Sequence, residues 1–272
     1  MCDNSIIIAA NYCGLCNTIK NLLSCIRIKN NNNNITFLID KNNSLINLFE
    51  FIDTLIYDNN IINNNEYDII IRNHWRFTIF DTDINLEKII NNNISLMFKD
   101  FNENSLFKNY NNNCIDLLYR PDLFSNIYKE YSNIFNELII KKDILNNIND
   151  FYNKYFNENT ISVHLRSWID YNERKLNFNI NKFYEKIEEL NDGINNFFIC
   201  SDDKNISYNI KKKFGNNIII YEETTYNSPL INAFIELILL SKTNIIIGTF
   251  LSTFTELAYI INYNIDKKIY II

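Results

Sequence analysis

Polar and charged side chains follow three apolar segments in the second half of the sequence, residues 163–165, 197–200 and 245–247. The side chains at the three ends are Arg166, then Ser201, Asp202 and Asp203, then Thr249 with Ser252 and Thr253. Because the carboxyl ends of parallel strands lie at one edge of a sheet, where α/β proteins bind ligands, we expect these side chains to share one site. A cation, carboxylates and small hydroxyls suit a phosphorylated ligand.

Arg166 is the residue of this set most suited to an anionic ligand. Its guanidinium is a planar fork that can bind a pyrophosphate through paired hydrogen bonds. His164 lies two positions earlier, so both side chains leave the same face of the strand. We therefore interpret Arg166 as a ligand contact. His164 has two interpretations, a ligand contact or a buried histidine that orients its neighbours.

The other two strand ends have a local interpretation beside the functional one. Asp and Ser are good helix N-caps, so at least one residue of 201–203 is expected to cap the helix that follows. Two adjacent carboxylates could also bind a metal, but no His or Cys at ligand spacing supports that. Ser252 likewise could bind a ligand or form a cap with Thr255 and Glu256.

A turn between the first strand, residues 6–10, and the first helix, residues 15–28, is a second candidate site. Gly14 lets backbone amides approach an anion, the helix amino terminus adds favourable partial charge, and Asn17 follows in the first turn. Cys13 and Cys16 also form a Cys-x-x-Cys pair at a helix start, which is typical of thioredoxin-like redox proteins. Both interpretations stay open at this point.

Apolar strands alternate with helical periodicity along most of the chain, which predicts βαβ units and mostly parallel sheets. In the first half we predict strands at 36–39 and 67–71 and a helix at 45–56. Two helical segments lie between 123 and 156, and a cleaner strand–helix alternation begins after 160. The pattern predicts a two-lobed α/β protein with a cleft, residues 1–140 forming the N-terminal lobe and 141–272 the C-terminal lobe.

The composition restricts the class of protein. The chain has 272 residues, a net charge of -6 and 47% hydrophobic residues, which indicates a globular protein without the basic face that nucleic-acid binding needs. It contains no apolar run of about 18 or more residues, so no membrane span is expected. Its six scattered cysteines suit free thiols in a reducing compartment, so we predict a cytoplasmic protein.

Four segments, in this order and spacing, resemble the motifs of the GDP-fucose-dependent fucosyltransferases, the group of α-1,6-, protein O- and nodulation fucosyltransferases. Residues 14–17 and the helix after them resemble the family's glycine-rich turn. Residues 163–166 resemble its V-H-V-R motif, and residues 198–203 its F-L-A-T-D-D motif. Residues 248–259 resemble its third motif, a T-F-S-S stretch followed by L-A-Y.

The resemblance implies a GT-B fold of two Rossmann-like lobes and inverting transfer that needs no metal or other cofactor. The donor would be GDP-fucose or another GDP-sugar, held mainly by the C-terminal lobe, and the acceptor a glycan or protein hydroxyl. Arg166 would bind the β-phosphate and neutralise the departing GDP. The resemblance also implies that Asp202 or Asp203 holds the nucleoside, that Ser252 and Thr253 hold the phosphates, and that Gly14 and Asn17 approach the pyrophosphate or sugar from the other lobe. Further candidate substrate contacts are His164, Ser201 and Thr249.

Departures from the family pattern leave the general base open. Cys13 stands in place of the family's first glycine, and residues 167–170 lack the charges that often follow the arginine. Glu173 lies at roughly the family spacing, Asp170 is the alternative, and Glu222 is a third candidate.

Three functional hypotheses follow from the sequence. The first is a glycosyltransferase that transfers fucose from GDP-fucose. The second is a thioredoxin-like redox protein that uses Cys13 and Cys16. The third is a non-catalytic protein that binds a sugar nucleotide.

Overall fold

A computed structural model describes residues 4–8, 14–31, 35–40, 44–50, 55–57, 69–71, 115–116, 121–167, 178–222, 226–250 and 252–272. The chain divides into two compact units, one of residues 1–108 with 133–141 and the other of residues 109–132 with 142–272. None of the helices within the described residues is long and apolar enough to cross a membrane.

The first unit contains a parallel sheet. The strands of this unit are β1 (Asn4–Ile8), β2 (Ile35–Asp40), β3 (Phe49–Glu50), β4 (Leu55–Tyr57), β5 (Ile69–Ile71) and β7 (Ile139–Ile140). Four of them form the sheet in the order β4-β2-β1-β5, and every neighbouring pair is parallel. Helix α1 (Leu15–Asn31) follows β1 and buries Ile19, Leu22 and Leu23, whose spacing places them on one helix face.

The helix predicted at residues 45–56 is wrong. A short 3-10 helix (Ser44–Asn47) is followed by β3 and β4. Strand β3 pairs antiparallel with β7, a partner about 90 residues away in the sequence. Short apolar runs fit a helix or a strand equally well, and here the distant partner decides the outcome.

The second unit contains a six-stranded sheet with helices. Its strands are β6 (Ile115–Asp116), β8 (Thr160–Leu165), β9 (Asn196–Ser201), β10 (Ile218–Ile220), β11 (Ile245–Gly248) and β12 (Lys268–Ile271). Its helices are α3 (Lys142–Tyr155), α4 (Ile180–Leu190), α5 (Lys204–Phe214), α6 (Pro229–Ser241) and α7 (Thr253–Ile261), and helix α2 (Pro121–Glu137) contains residues of both units. This architecture confirms the predicted α/β fold with a mostly parallel sheet.

The strand order of this sheet, β10-β9-β8-β11-β12-β6, creates a switch point. From β8 the chain builds outward through β9 and β10, then returns to the other side of β8 and builds outward through β11 and β12. All five are parallel, and β6 pairs antiparallel with β12 at the edge. In open α/β sheets, ligands bind outside the carboxyl ends of the strands at such a point. Here the point lies between β8 and β11.

Strand β8 is buried on both faces and divides its side chains between two layers of helices. Val163 and Leu165 belong to a buried cluster with Phe183 of α4 and Ile210 of α5. His164 points to the opposite face, where it contacts α7. Each fully buried large apolar side chain contributes about 1.5–3 kcal/mol, so this double layer fixes the position of the strand end that carries Arg166.

Candidate ligand site at the carboxyl edge of the second sheet

The Thr249 hydroxyl links the two strands of the switch point. It donates a hydrogen bond of 2.9 Å to the His164 carbonyl and accepts one of 2.8 Å from the Arg166 backbone N–H. Thr249 is buried and directly follows β11, whose Gly248 pairs with His164 in register. The backbone on both sides of residue 165 is therefore held by a side chain of the neighbouring strand.

Asp202 holds the same segment from the other side. Its Oδ1 accepts hydrogen bonds from the backbone N–H of Ser167 at 2.8 Å and from the Ser167 hydroxyl at 2.9 Å. Its Oδ2 lies 3.6 Å from Nε of Arg166, and the two side chains are 23% and 31% exposed. The guanidinium thus stands at the switch point, paired with a carboxylate and partly open to solvent.

Asp203 and Ser201 have local roles. The Asp203 side chain caps helix α5 by accepting a hydrogen bond of 2.9 Å from the Asn205 N–H. The Ser201 hydroxyl accepts a bond of 3.2 Å from the Asp203 N–H. Of the two adjacent carboxylates, Asp202 is the one that pairs with Arg166. The expectation that one residue of 201–203 is an N-cap is confirmed by Asp203.

His164 is buried and connects β8 to the first turn of α7. Its Nδ1 shares a hydrogen bond of 2.8 Å with the Thr255 hydroxyl, and its ring stacks on Phe254 with centroids 4.7 Å apart. Burial lowers the pKa of His164 to about 3, against the opposing effect of Asp202 and with a smaller contribution from Arg166. The imidazole is therefore neutral at physiological pH and supplies no charge to an anion.

Gly248 allows β11 to pass close to α7. A Cβ at this position would meet Thr255 Cγ2 below any normal contact distance, and would lie 2.7 Å from Oγ1 and 2.9 Å from Cβ of the same residue. Only a residue without a side chain fits between the strand and the helix. The glycine thereby brings the amino end of α7 to the strand end beside Arg166.

The amino end of α7 carries an unused hydroxyl. Ser252 is 3% exposed and occupies the N-cap position, but its side chain makes no capping hydrogen bond. The cap predicted with Thr255 and Glu256 is therefore absent at the side-chain level, although the Glu256 N–H donates to the Ser252 carbonyl. Thr253 is the first helical residue. Helix amino ends favour anions because their first N–H groups lack partners within the helix.

An ion pair between the buried Glu236 and the half-exposed Lys204, which the sequence analysis missed, lies near the ends of β9 and β10. Glu236 of α6 pairs with the ammonium of Lys204, which also donates to the Tyr221 carbonyl at 3.3 Å. Burial raises the pKa of Glu236, and Lys204 opposes this shift. A lone acid within the apolar helix of residues 229–241 is the signal that could have identified it, since such residues are rarely buried without a partner.

Some of the remaining predicted site residues are described by the structure, and the others lie outside the described residues. Gly14 is exposed, with open space where a Cβ would lie, and Asn17 is half-buried in the first turn of α1. Glu222 is exposed after β10, with its carboxylate 3.8 Å from the Lys211 ammonium. Asp170 and Glu173, the two leading candidates for a general base, lie outside the described residues.

The redox hypothesis finds no support in this part of the chain. Cys16 is 5% exposed, whereas a reactive thiol must be accessible. Cys13 lies outside the described residues. Within the described segments, no three His, Cys, Asp or Glu side chains come together in a way that could hold a metal ion.

Sequence comparison identifies no match, since neither a protein-family model nor a curated protein matches the chain. Solved structures do match. NodZ α-1,6-fucosyltransferase soaked with GDP-fucose is 14% identical with a TM-score of 0.57, over 95% of this chain and 92% of that chain. NodZ from Bradyrhizobium is 15% identical with a TM-score of 0.55, over 94% and 92%.

A plant enzyme shows the same likeness. A variant of FUT1 from Arabidopsis thaliana in complex with GDP is 11% identical with a TM-score of 0.58, over 95% of this chain and 69% of that chain. At such low identities the likeness concerns the fold. The chain shares the α/β fold of these fucosyltransferase structures, which the resemblance of its four motifs implied.

Proposed function

We propose that this protein is a glycosyltransferase that transfers fucose from GDP-fucose, with inversion, to a hydroxyl of a glycan or protein. The observation that carries the proposal is the position of Arg166 at the switch point between β8 and β11. The fold shared with NodZ and FUT1, which were solved with GDP-fucose and GDP respectively, supports the same donor. In this proposal residues 141–272 bind the donor, and residues 1–140 contribute the acceptor side, with Gly14 and Asn17 near the donor.

The diphosphate is the part of the donor that the site suits best. Arg166 offers a guanidinium at the end of β8, and the amino end of α7 offers backbone N–H groups with the Ser252 and Thr253 hydroxyls. Gly248 keeps the helix close to the strand, so both donors of hydrogen bonds belong to one edge of the sheet. When the sugar–phosphate bond breaks, negative charge grows on the β-phosphate, and a preorganised cation stabilises that charge.

The Lys204–Glu236 pair suits a guanine base. Guanine presents a carbonyl acceptor beside two kinds of N–H donor on one edge, and an ammonium beside a carboxylate complements this pattern. Glu236 has a side chain that is 11% exposed, so its hydrogen bonds are not fully screened by water. We therefore assign base selection to Glu236, with Lys204 as its partner.

The transfer itself needs a general base within hydrogen-bond reach of the acceptor hydroxyl. The acceptor hydroxyl loses its proton to a carboxylate as its oxygen bonds to the anomeric carbon, and the bond from that carbon to the β-phosphate oxygen breaks. We propose Glu173 as the base, with Asp170 as the alternative and Glu222 as the third candidate. GDP leaves with the bonding electron pair, facing Arg166.

A thermal-shift panel of GDP-, UDP- and CMP-sugars tests the proposal. We expect stabilisation by GDP-sugars alone, of about 2.7 kcal/mol at a ligand concentration 100 times Kd. The Arg166→Ala variant should lose most of this shift. Lys213→Ala is the matched control, because it removes one positive charge whose partner is Glu188, outside the site.

Turnover separates the enzyme from the non-catalytic alternative. With GDP-fucose and a glycan acceptor, an active transferase releases GDP, whereas a sugar-nucleotide-binding protein shifts its melting temperature and releases none. A shift with UDP- or CMP-sugars only would contradict the proposed donor.

A further inference from the structure

We propose that Asp202 is a positioning residue that aims Arg166, and that it does not itself hold the donor. This inference rests on the proposed function and deepens it by giving a role to Asp202, one of the two carboxylates, Asp202 or Asp203, that the family resemblance offered for the nucleoside. The structure shows three contacts from Asp202 to the segment of residues 166–167.

Both carboxylate oxygens of Asp202 face the segment of residues 166–167. Oδ1 accepts from the N–H and the hydroxyl of Ser167, at 2.8 and 2.9 Å, and Oδ2 faces Nε of Arg166 at 3.6 Å. Ser167 thus occupies both acceptor positions of Oδ1, and Oδ2 is directed at the Arg166 guanidinium, so the carboxylate is oriented toward the end of β8. Asp202 therefore acts as a clamp, which here means that it holds the backbone of Ser167 and the side chain of Arg166 at the end of β8.

A second residue, Thr249, completes the clamp. Thr249, on the opposite side of β8, bonds both the His164 carbonyl and the Arg166 N–H. Side chains from both neighbouring strands thus fix consecutive backbone amides, those of Arg166 and Ser167. Residues that position a reacting group restrict it to one geometry before the ligand arrives, and a misplacement of about 1 Å can cost about a hundredfold in rate.

The adjacent acid, Asp203, makes different contacts. Asp203 carries the same charge, yet its side chain caps α5 through Asn205. The two acids therefore allow a matched test, since removal of either takes one carboxylate from the same edge of the sheet. Only removal of Asp202 releases Ser167 and Arg166.

A double-mutant cycle on GDP affinity tests the inference. Asp202→Ala should weaken GDP binding about tenfold when Arg166 is present, and should have no further effect in an Arg166→Ala background. Asp192→Ala removes a carboxylate from the loop before β9, at the other end of that strand, and should leave GDP affinity unchanged. If Asp202→Ala and Arg166→Ala instead reduce affinity by independent factors that multiply, Asp202 contacts the donor directly and the inference is overturned.

Hydrogen exchange of the ligand-free protein gives a second, independent readout. Exchange of the Ser167 amide should accelerate in Asp202→Ala and stay unchanged in Asp203→Ala. Unchanged exchange in Asp202→Ala would overturn the clamp. If the wild-type protein binds no GDP, the proposed function fails, and exchange alone decides the inference. Should Asp202→Ala fail to fold, Asp202→Asn removes the charge while keeping an acceptor for Ser167, and the same cycle is then measured with it.

Discussion

Replacing Gly248 with alanine should destabilise the second unit through one identifiable contact. The new methyl group would collide with Thr255, reaching 2.7 Å from Oγ1 and 2.9 Å from Cβ and still closer to Cγ2. Overpacking of a buried site costs about 1–3 kcal/mol. Moving Thr255 also breaks its 2.8 Å hydrogen bond to His164, and a lost buried bond adds about 1–3 kcal/mol.

We therefore expect Gly248→Ala to lower the free energy of unfolding by about 2–6 kcal/mol, measured by urea denaturation. The Gly14→Ala control should change it by less than about 0.5 kcal/mol, because its Cβ would meet no atom within 4 Å. Adding Thr255→Ser removes the nearest colliding methyl, keeps the hydroxyl, and should restore part of the loss. A Gly248→Ala protein as stable as the wild type would refute the close approach of β11 and α7.

Three further predictions concern buried groups. Because burial holds the pKa of His164 near 3 while the unfolded chain titrates near 6.5, stability should fall as the pH drops below 6.5, by about 1.4 kcal/mol per pH unit; urea unfolding at several pH values should show this slope, and His164→Asn should lack that part of it. Glu236→Gln should weaken GDP binding about tenfold in a competition assay, since the amide no longer accepts from both guanine donors; an unchanged GDP affinity would contradict base selection by Glu236. The Cys200 thiol is buried, and burial raises its pKa further from neutrality, so it should react with a disulfide reagent only after the protein unfolds; rapid reaction in the native state would contradict this burial.

The parallel sheet of the second unit was predictable because its strands are continuous apolar runs. Strands that are buried on both faces, such as those of Val163 and Ile246, show no alternation of polar and apolar residues. Such short apolar runs between helical segments are identified as central strands. The location of the polar residues at the strand ends was also predictable, because parallel strands all place their carboxyl ends at one edge of the sheet, where ligands bind. Arg166 and Thr249 were therefore placed at one edge from the sequence.

Contacts between distant residues were not predictable. The bond from His164 to Thr255 joins residues 91 apart, and the Asp202 contact with Ser167 spans 35. Nothing in the local pattern specifies which side chain of one strand end meets which of the next. The same limit explains the wrong helix at 45–56, where pairing of β3 with β7 outweighs local preference.

The most direct test of the account is a crystal structure of the protein with GDP. We predict the β-phosphate at the switch point between β8 and β11, with an oxygen about 2.7–2.9 Å from the Arg166 guanidinium and the amino end of α7 facing the same group. A nucleotide bound at any other place on the chain, or one whose phosphates do not contact Arg166, would contradict the assignment of this edge as the donor site.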